Sequence, residues 1–325
     1  MDAAISFTPT LRVADASAAY WLRQVTVRLR REVSWLWHER GYTPRDAPGA
    51  VPPFTDRVQA VLDQARFAEA KAQFFEQDVT ARYLSAQLSE APPPVADAPH
   101  GTFGWVIQAL DLDDAAAFTL ALGLAAAFDP ALGTVVAACL NDAKRTAPTL
   151  ALAQRLWDDP LAVLPLAQAA HPVFRTGLLH LDLQAIPVGI DWQAPLHMPA
   201  PVAHALLAPG ASLPAGLTPL PWSGAEAALP AQARHVVARL RAGANEGLRV
   251  VPIRGGRTAS HDEVARALAG LAGRSVARLD GRRDAPERTK ALFTVAWLRD
   301  LDVFVPPPLA DAGSNQQGAL APLPD

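Results

Sequence analysis

Apolar residues along this chain recur at helical spacing far more often than at strand spacing. Over 17–40, Leu22, Val25, Leu29, Val33 and Leu36 follow at steps of three and four, the stripe of an amphipathic helix, with Asp15 or Ser17 available as its cap. Arg23, Arg28, Arg30 and Arg31 crowd the other side and read as a solvated basic face. Trp35 and Trp37 fall on different sides, so at least one is expected at the surface, where aromatics serve as interface anchors. After a Pro/Gly-rich connection (42–53), a second long helix is expected from about Thr55 to Ser89, carrying Val58, Leu62, Ala65, Ala72, Phe75, Val79 and Tyr83. The two predict an antiparallel helical hairpin over 1–92, ended by the proline-rich run at 91–99.

Beyond that run the pattern shortens. Asp113-Asp114, Asp129-Pro130, Thr146 with Pro148, and Asp159-Pro160 each precede a short apolar helix, and His171-Pro172 stops the last. Residues 178–183 and 194–198 then read as two strands, with His180 and His197 facing across the ribbon, and a last helix runs from about Pro201 to Leu207. Helices followed by a β ribbon describe a winged-helix-like domain over 105–207. A Pro/Gly/Ala-rich linker (208–227), an α/β module (228–310) and a flexible tail (311–325) complete the expected order. The fold class is mainly α with a small α/β part.

Composition changes this little. Half of the 325 residues are apolar, and 29 basic against 32 acidic residues leave a formal charge of −3, which supplies no overall drive toward nucleic acid or anionic membrane. The one cysteine, Cys139, has no disulfide partner and lies in the apolar VVAACL, so it reads as a small buried hydrophobe rather than a nucleophile. With no charged segment followed by an apolar one at the N-terminus, a cytoplasmic setting is expected. The apolar run at 115–128 is too short to span a bilayer. The eight histidines are scattered and none has HExxH spacing, so no metal site is expected.

The candidate chemistry lies in 248–281. Leu248, Val250, Val251 and Ile253 suit a buried parallel strand, and a helix resumes at Val264, so the loop between them has the position of a phosphate-binding loop. Such a loop needs GxxxxGK followed by Ser or Thr, because backbone N–H groups cradle phosphates, lysine reaches the terminal ones and the hydroxyl binds magnesium. Aligned from Gly255, the second glycine falls on Ser260, the lysine on His261 and the hydroxyl residue on Asp262, with Gly256 beside the first glycine. Imidazole is shorter than the lysine stem and mostly neutral near pH 7, and a carboxylate repels phosphate unless magnesium intervenes. The plainer alternative makes Gly255-Gly256 a simple turn and Ser260 or Asp262 a helix N-cap.

Asp129-Pro130, Asn141-Asp142, Pro148-Thr149 and Gly177-Leu178-Leu179 form an ordered set that resembles the winged-helix region preceding the ATPase module in AAA-type proteins of phage-tail-like contractile injection systems. The match covers roughly 105–305. The resemblance implies a P-loop near residue 255 and a Walker B strand near 301–305 followed by an acidic pair, where Pro306 and Pro307 stand instead. It also implies sensor, arginine-finger and lid elements, for which the proline-rich tail leaves no room, so a degenerate, truncated relative is expected; a further ATPase module beyond residue 325 is the alternative. The expected role is non-catalytic assembly or regulation through protein contacts. No cofactor is expected, ATP with magnesium at Gly255, Gly256, Ser260, His261 and Asp262 being the alternative. A DNA-binding winged helix is the third reading, weakened because the candidate recognition helix, 147–157, carries Arg155 as its only basic side chain.

Overall fold

The computed structural model describes residues 5–8, 12–39, 64–181, 190–222, 229, 231–242, 249–255, 260–280 and 286–306. It is mainly helical with two small sheets. The chain divides into two compact units, Met1–Ala203 and His204–Asp325.

In the first unit the opening apolar stripe forms α1 (Ala16–Glu39), which starts where expected because Asp15 caps it, accepting the Ser17 N–H at 2.9 Å. The same carboxylate accepts the Phe103 N–H at 2.7 Å, so it also caps α4 (Phe103–Ala109). Between them lie α2 (Gln64–Gln77) and α3 (Val79–Leu88), not one long helix. Asp78 separates them: it is extended (ψ 133°) and its carboxylate accepts the Ala81 N–H. A break there resets the helical phase. Val79 and Tyr83, expected on the apolar stripe, are therefore 72% and 65% exposed, while Ala81 and Leu84 face inward. Residues 40–63, with the expected positions Val58 and Leu62, lie outside the described residues.

Helix α5 (Asp114–Phe128) starts at Asp113, whose carboxylate accepts the Ala116 N–H, and is buried nearly all round, as its alanine-leucine composition requires. It packs on α1, as do α3 and α6 (Leu132–Leu140), so the N-terminal helices and the central helices share one core. Thr149 caps α7 (Leu150–Leu156), and Asp159 caps a 3-10 turn at Pro160–Leu166 where a fourth α-helix is expected; Pro165 inside it has no N–H to continue an α-helix. His171-Pro172 opens α8 (Pro172–Arg175) rather than only ending a helix. The ribbon is present as β1 (His180–Leu181) and β2 (Leu196–His197), antiparallel, with His180 opposite His197 and their rings stacked at 5.4 Å. The last predicted helix is α9 (Ala200–Leu207), inside which the division between units falls.

The residues carrying the family resemblance have backbone roles in this unit. Asp129 is buried and accepts from the Phe7 and Ala131 N–H groups and the Thr8 hydroxyl. Asn141 ends α6 at φ 56°, and Gly177 turns into the ribbon at φ 75°.

The second unit holds a three-stranded sheet of order β3 (Leu217–Pro219), β4 (Ser275–Leu279), β5 (Leu301–Phe304). β3 runs antiparallel to β4, and β4 parallel to β5 with Ser275 opposite Leu301. Segment 208–227, expected as linker, thus supplies an edge strand, where Pro219 is tolerated. Helix α10 (Ala231–Ala242) packs on α11 (His261–Ala272), α11 on β4, and α12 (Pro286–Leu298) is the crossover between the parallel strands.

Candidate functional site

The segment expected to enter a phosphate-binding loop is not part of the sheet. Residues 249–255 have no strand; Val251 and Ile253 instead pack on a cluster of Ala233, Val237 and Leu268 between α10 and α11, and Val250 is 62% exposed. Two inward apolar side chains with one between them are satisfied as well by helix surfaces as by a sheet face. Alternation alone does not choose between them.

Gly255 is exposed, and Gly256 lies outside the described residues. Ser260 is the N-cap residue of α11 by backbone position, but its hydroxyl makes no capping bond. His261 and Asp262 follow in the first turn, half-buried, with Glu263 exposed beside them. Asp262 pairs weakly with Arg266 one turn on, at 3.8 Å. Two carboxylates therefore sit at the positive end of the helix dipole, where they are favourable in themselves and oppose a phosphate. The other end is closed by Gly273 at φ 78° and the Arg274 N–H bonding back to Ala269, a Schellman-type stop that sets the entry to β4.

The strand expected at 301–305 is β5. Its Asp302 accepts from Arg274 Nε at 2.7 Å, and Asp300 pairs with Arg274 Nη2 at 3.1 Å. This carboxylate fork ties the starts of the two parallel strands together. Pro306 follows β5, and Pro307 lies outside the described residues.

Sequence reasoning missed a charge network on α1. The basic face expected in solvent is partly buried: Arg28 Nη1 reaches Asp158 Oδ2 at 2.6 Å and the Leu156 carbonyl at 3.2 Å, and Arg31 Nη2 reaches Asp158 Oδ1 at 2.5 Å. Arg28 lies 4.3 Å over the Trp157 ring and Arg31 4.5 Å over Phe75, so their flat guanidiniums are packed as well as paired. Burial pulls Arg28 below the usual arginine value, partly offset by Asp158. Burial raises Asp158 in turn, but Arg28 and Arg31 outweigh it and hold the carboxyl below its ordinary value. Asp158 thus serves the ion pairs, and only Asp159 of the pair acts as a helix cap.

Glu32 is 3% exposed and pairs with Lys71 at 2.5 Å and Arg155 at 3.3 Å. The sequence held one signal for it: three residues after Leu29 and four before Leu36, Glu32 continues the apolar stripe better than the half-buried Val33. Cys139 is buried beside this network, its thiol pushed up to about 12, first by burial and then by Glu32. It is inert as a nucleophile. Among the described residues no group of three or more His, Cys, Asp or Glu could hold a metal ion, and no helix is long and apolar enough to cross a membrane.

No family model, no curated protein and no solved structure matches the chain.

Proposed function

We propose that this chain is a non-catalytic relative of the AAA-type ATPases of contractile injection systems, acting in assembly or regulation through protein contacts. The observation that carries the non-catalytic part is the first turn of α11, where His261 and Asp262 stand in place of a phosphate-reaching lysine and a magnesium-binding hydroxyl, with Glu263 beside them. A helix N-terminus already met by two carboxylates has no need of an anion, and a third negative group there is repelled. The helices ahead of an antiparallel ribbon support the winged-helix part of this reading, and the parallel β4–α12–β5 unit supports its α/β part. Exposed aromatics, Trp37 on α1 and Tyr83 on α3, are the kind of side chain that protein interfaces use.

Titration of the full chain with a fluorescent ATP analogue and magnesium tests the reading. No saturable signal is expected below about 1 mM, roughly −4 kcal/mol. Saturable binding in the micromolar range would restore the nucleotide-binding alternative. His261→Lys with Asp262→Thr is expected to gain no nucleotide affinity, because the segment ahead of the loop packs on helices rather than in the sheet.

A further inference from the structure

A cavity of about 300 Å³, open to solvent, lies between the end of α6 and the face of α7, lined by Leu140, Arg145, Ala151, Leu152, Arg155 and Gln193. Most of its accessible surface is polar, and its two charged residues are both arginines. Each is held in place by groups that leave donors over. Arg145 donates from Nη2 alone, to the Gln193 carbonyl at 2.6 Å and side-chain oxygen at 3.1 Å, so its Nε and Nη1 are uncommitted among the described residues. Arg155 uses Nε on Glu32 and Nη2 on the Cys139 carbonyl, which leaves Nη1.

The charges do not cancel. Among the described residues Glu32 is the one carboxylate on Arg155 and is shared with Lys71, while Arg145 is paired with none. Asp142 and Asp191, the acidic residues nearest in sequence to the groove residues, accept the Lys144 and Gln193 backbone N–H groups and are not among its lining residues. A positive, mostly polar recess at the small end of ligand-pocket volumes suits one carboxylate. An opening to solvent suits a side chain presented by a larger molecule.

We propose that this groove takes an aspartate or glutamate side chain of an acidic segment in a partner protein, held by a two-arginine clamp of Arg145 and Arg155. The proposal rests on the protein-contact reading and names the chemistry of one contact. The clamp positions the carboxylate by paired N–H donors.

The test uses the full chain and a fluorescein-labelled acetyl-Ala-Leu-Glu-Glu-Leu-Ala amide, read by fluorescence anisotropy. Saturable binding is expected, lost in the Gln-Gln peptide, and weakened about 10-fold or more by Arg145→Gln, the arginine side chain being bonded only to Gln193 among the described residues. Lys144→Gln removes the same charge one residue away but off the groove, and is expected to change binding by less than about 2-fold. Arg145→Lys keeps the charge without the fork and should fall between the two. An equal effect of Lys144→Gln and Arg145→Gln, or no binding of the acidic peptide up to about 1 mM, overturns the clamp. So does inorganic phosphate displacing the peptide at concentrations where acetate does not, since a phosphate site would then explain the recess. None of these results bears on the nucleotide titration, so the clamp can fail while the non-catalytic reading stands.

Discussion

At the scale of single residues, the charges on α1 decide more than the apolar stripe beside them. Glu32 is buried with two cations on it, and removing its charge takes this counter-ion from Lys71, which is largely buried, and from Arg155, which is partly solvated. Glu32→Gln is therefore expected to cost about 3 kcal/mol, read as a lower urea midpoint with an unchanged slope. Asp158 gives a pH signature. Its carboxyl lies below the ordinary value, so its contribution is present above the unfolded value, near about 4, and is lost as pH falls through the lower folded one. The stability gap between the native chain and Asp158→Asn should hold at neutral pH and close as the pH drops below about 4. Cys139, with its thiol pushed up to about 12, is expected to resist iodoacetamide at pH about 8 and to react only on unfolding, which mass spectrometry would count.

Elements add a second level, at which short-range chemistry is legible and phase is not. The caps at Asp15, Asp113 and Asp159 follow from residue type and position, because a side-chain oxygen beside an orphan N–H is a local affair, whereas α7 is capped by Thr149 and not by the expected Thr146. Asp78 is another such cap, but inside a run of good helix formers nothing announces that it breaks the helix; only packing against α1 shows which phase is right. Gly123 shows the same limit. It sits in α5 with Leu179 so close that an added Cβ would meet its Cδ2 at 2.4 Å. Gly123→Ala improves local helix propensity yet is expected to destabilise the chain by about 1–3 kcal/mol in thermal unfolding, since the fully buried Leu179 must be displaced from its place against α5. A rise in stability would show that the ribbon yields at little cost.

For the whole molecule, the sequence carried helix-rich composition, most helix starts and the ribbon with His180 facing His197, all of them consequences of neighbours within a few residues, whereas the strand at β5 was expected from the family resemblance alone. It also carried His261 and Asp262 at the positions where the proposed reading would need a lysine and a hydroxyl, since side-chain chemistry is readable without coordinates. Recognition of duplex DNA needs many cations along one surface, and here Arg155, the one basic side chain of 147–157, is already bonded to Glu32 and the Cys139 carbonyl. Electrophoretic retention of a duplex is accordingly expected to vanish by about 0.15 M salt. Which apolar segment joins the sheet was decided only in three dimensions: 217–219 pairs with β4, while Val251 and Ile253 cover helices. The partners of Arg28, Arg31 and Glu32 were decided there too, because they come from segments about 40 to 130 residues away and no local rule brings them together. Local chemistry reads forward from the chain; long-range pairing depends on which surfaces compete successfully for the same apolar side chains and the same charges.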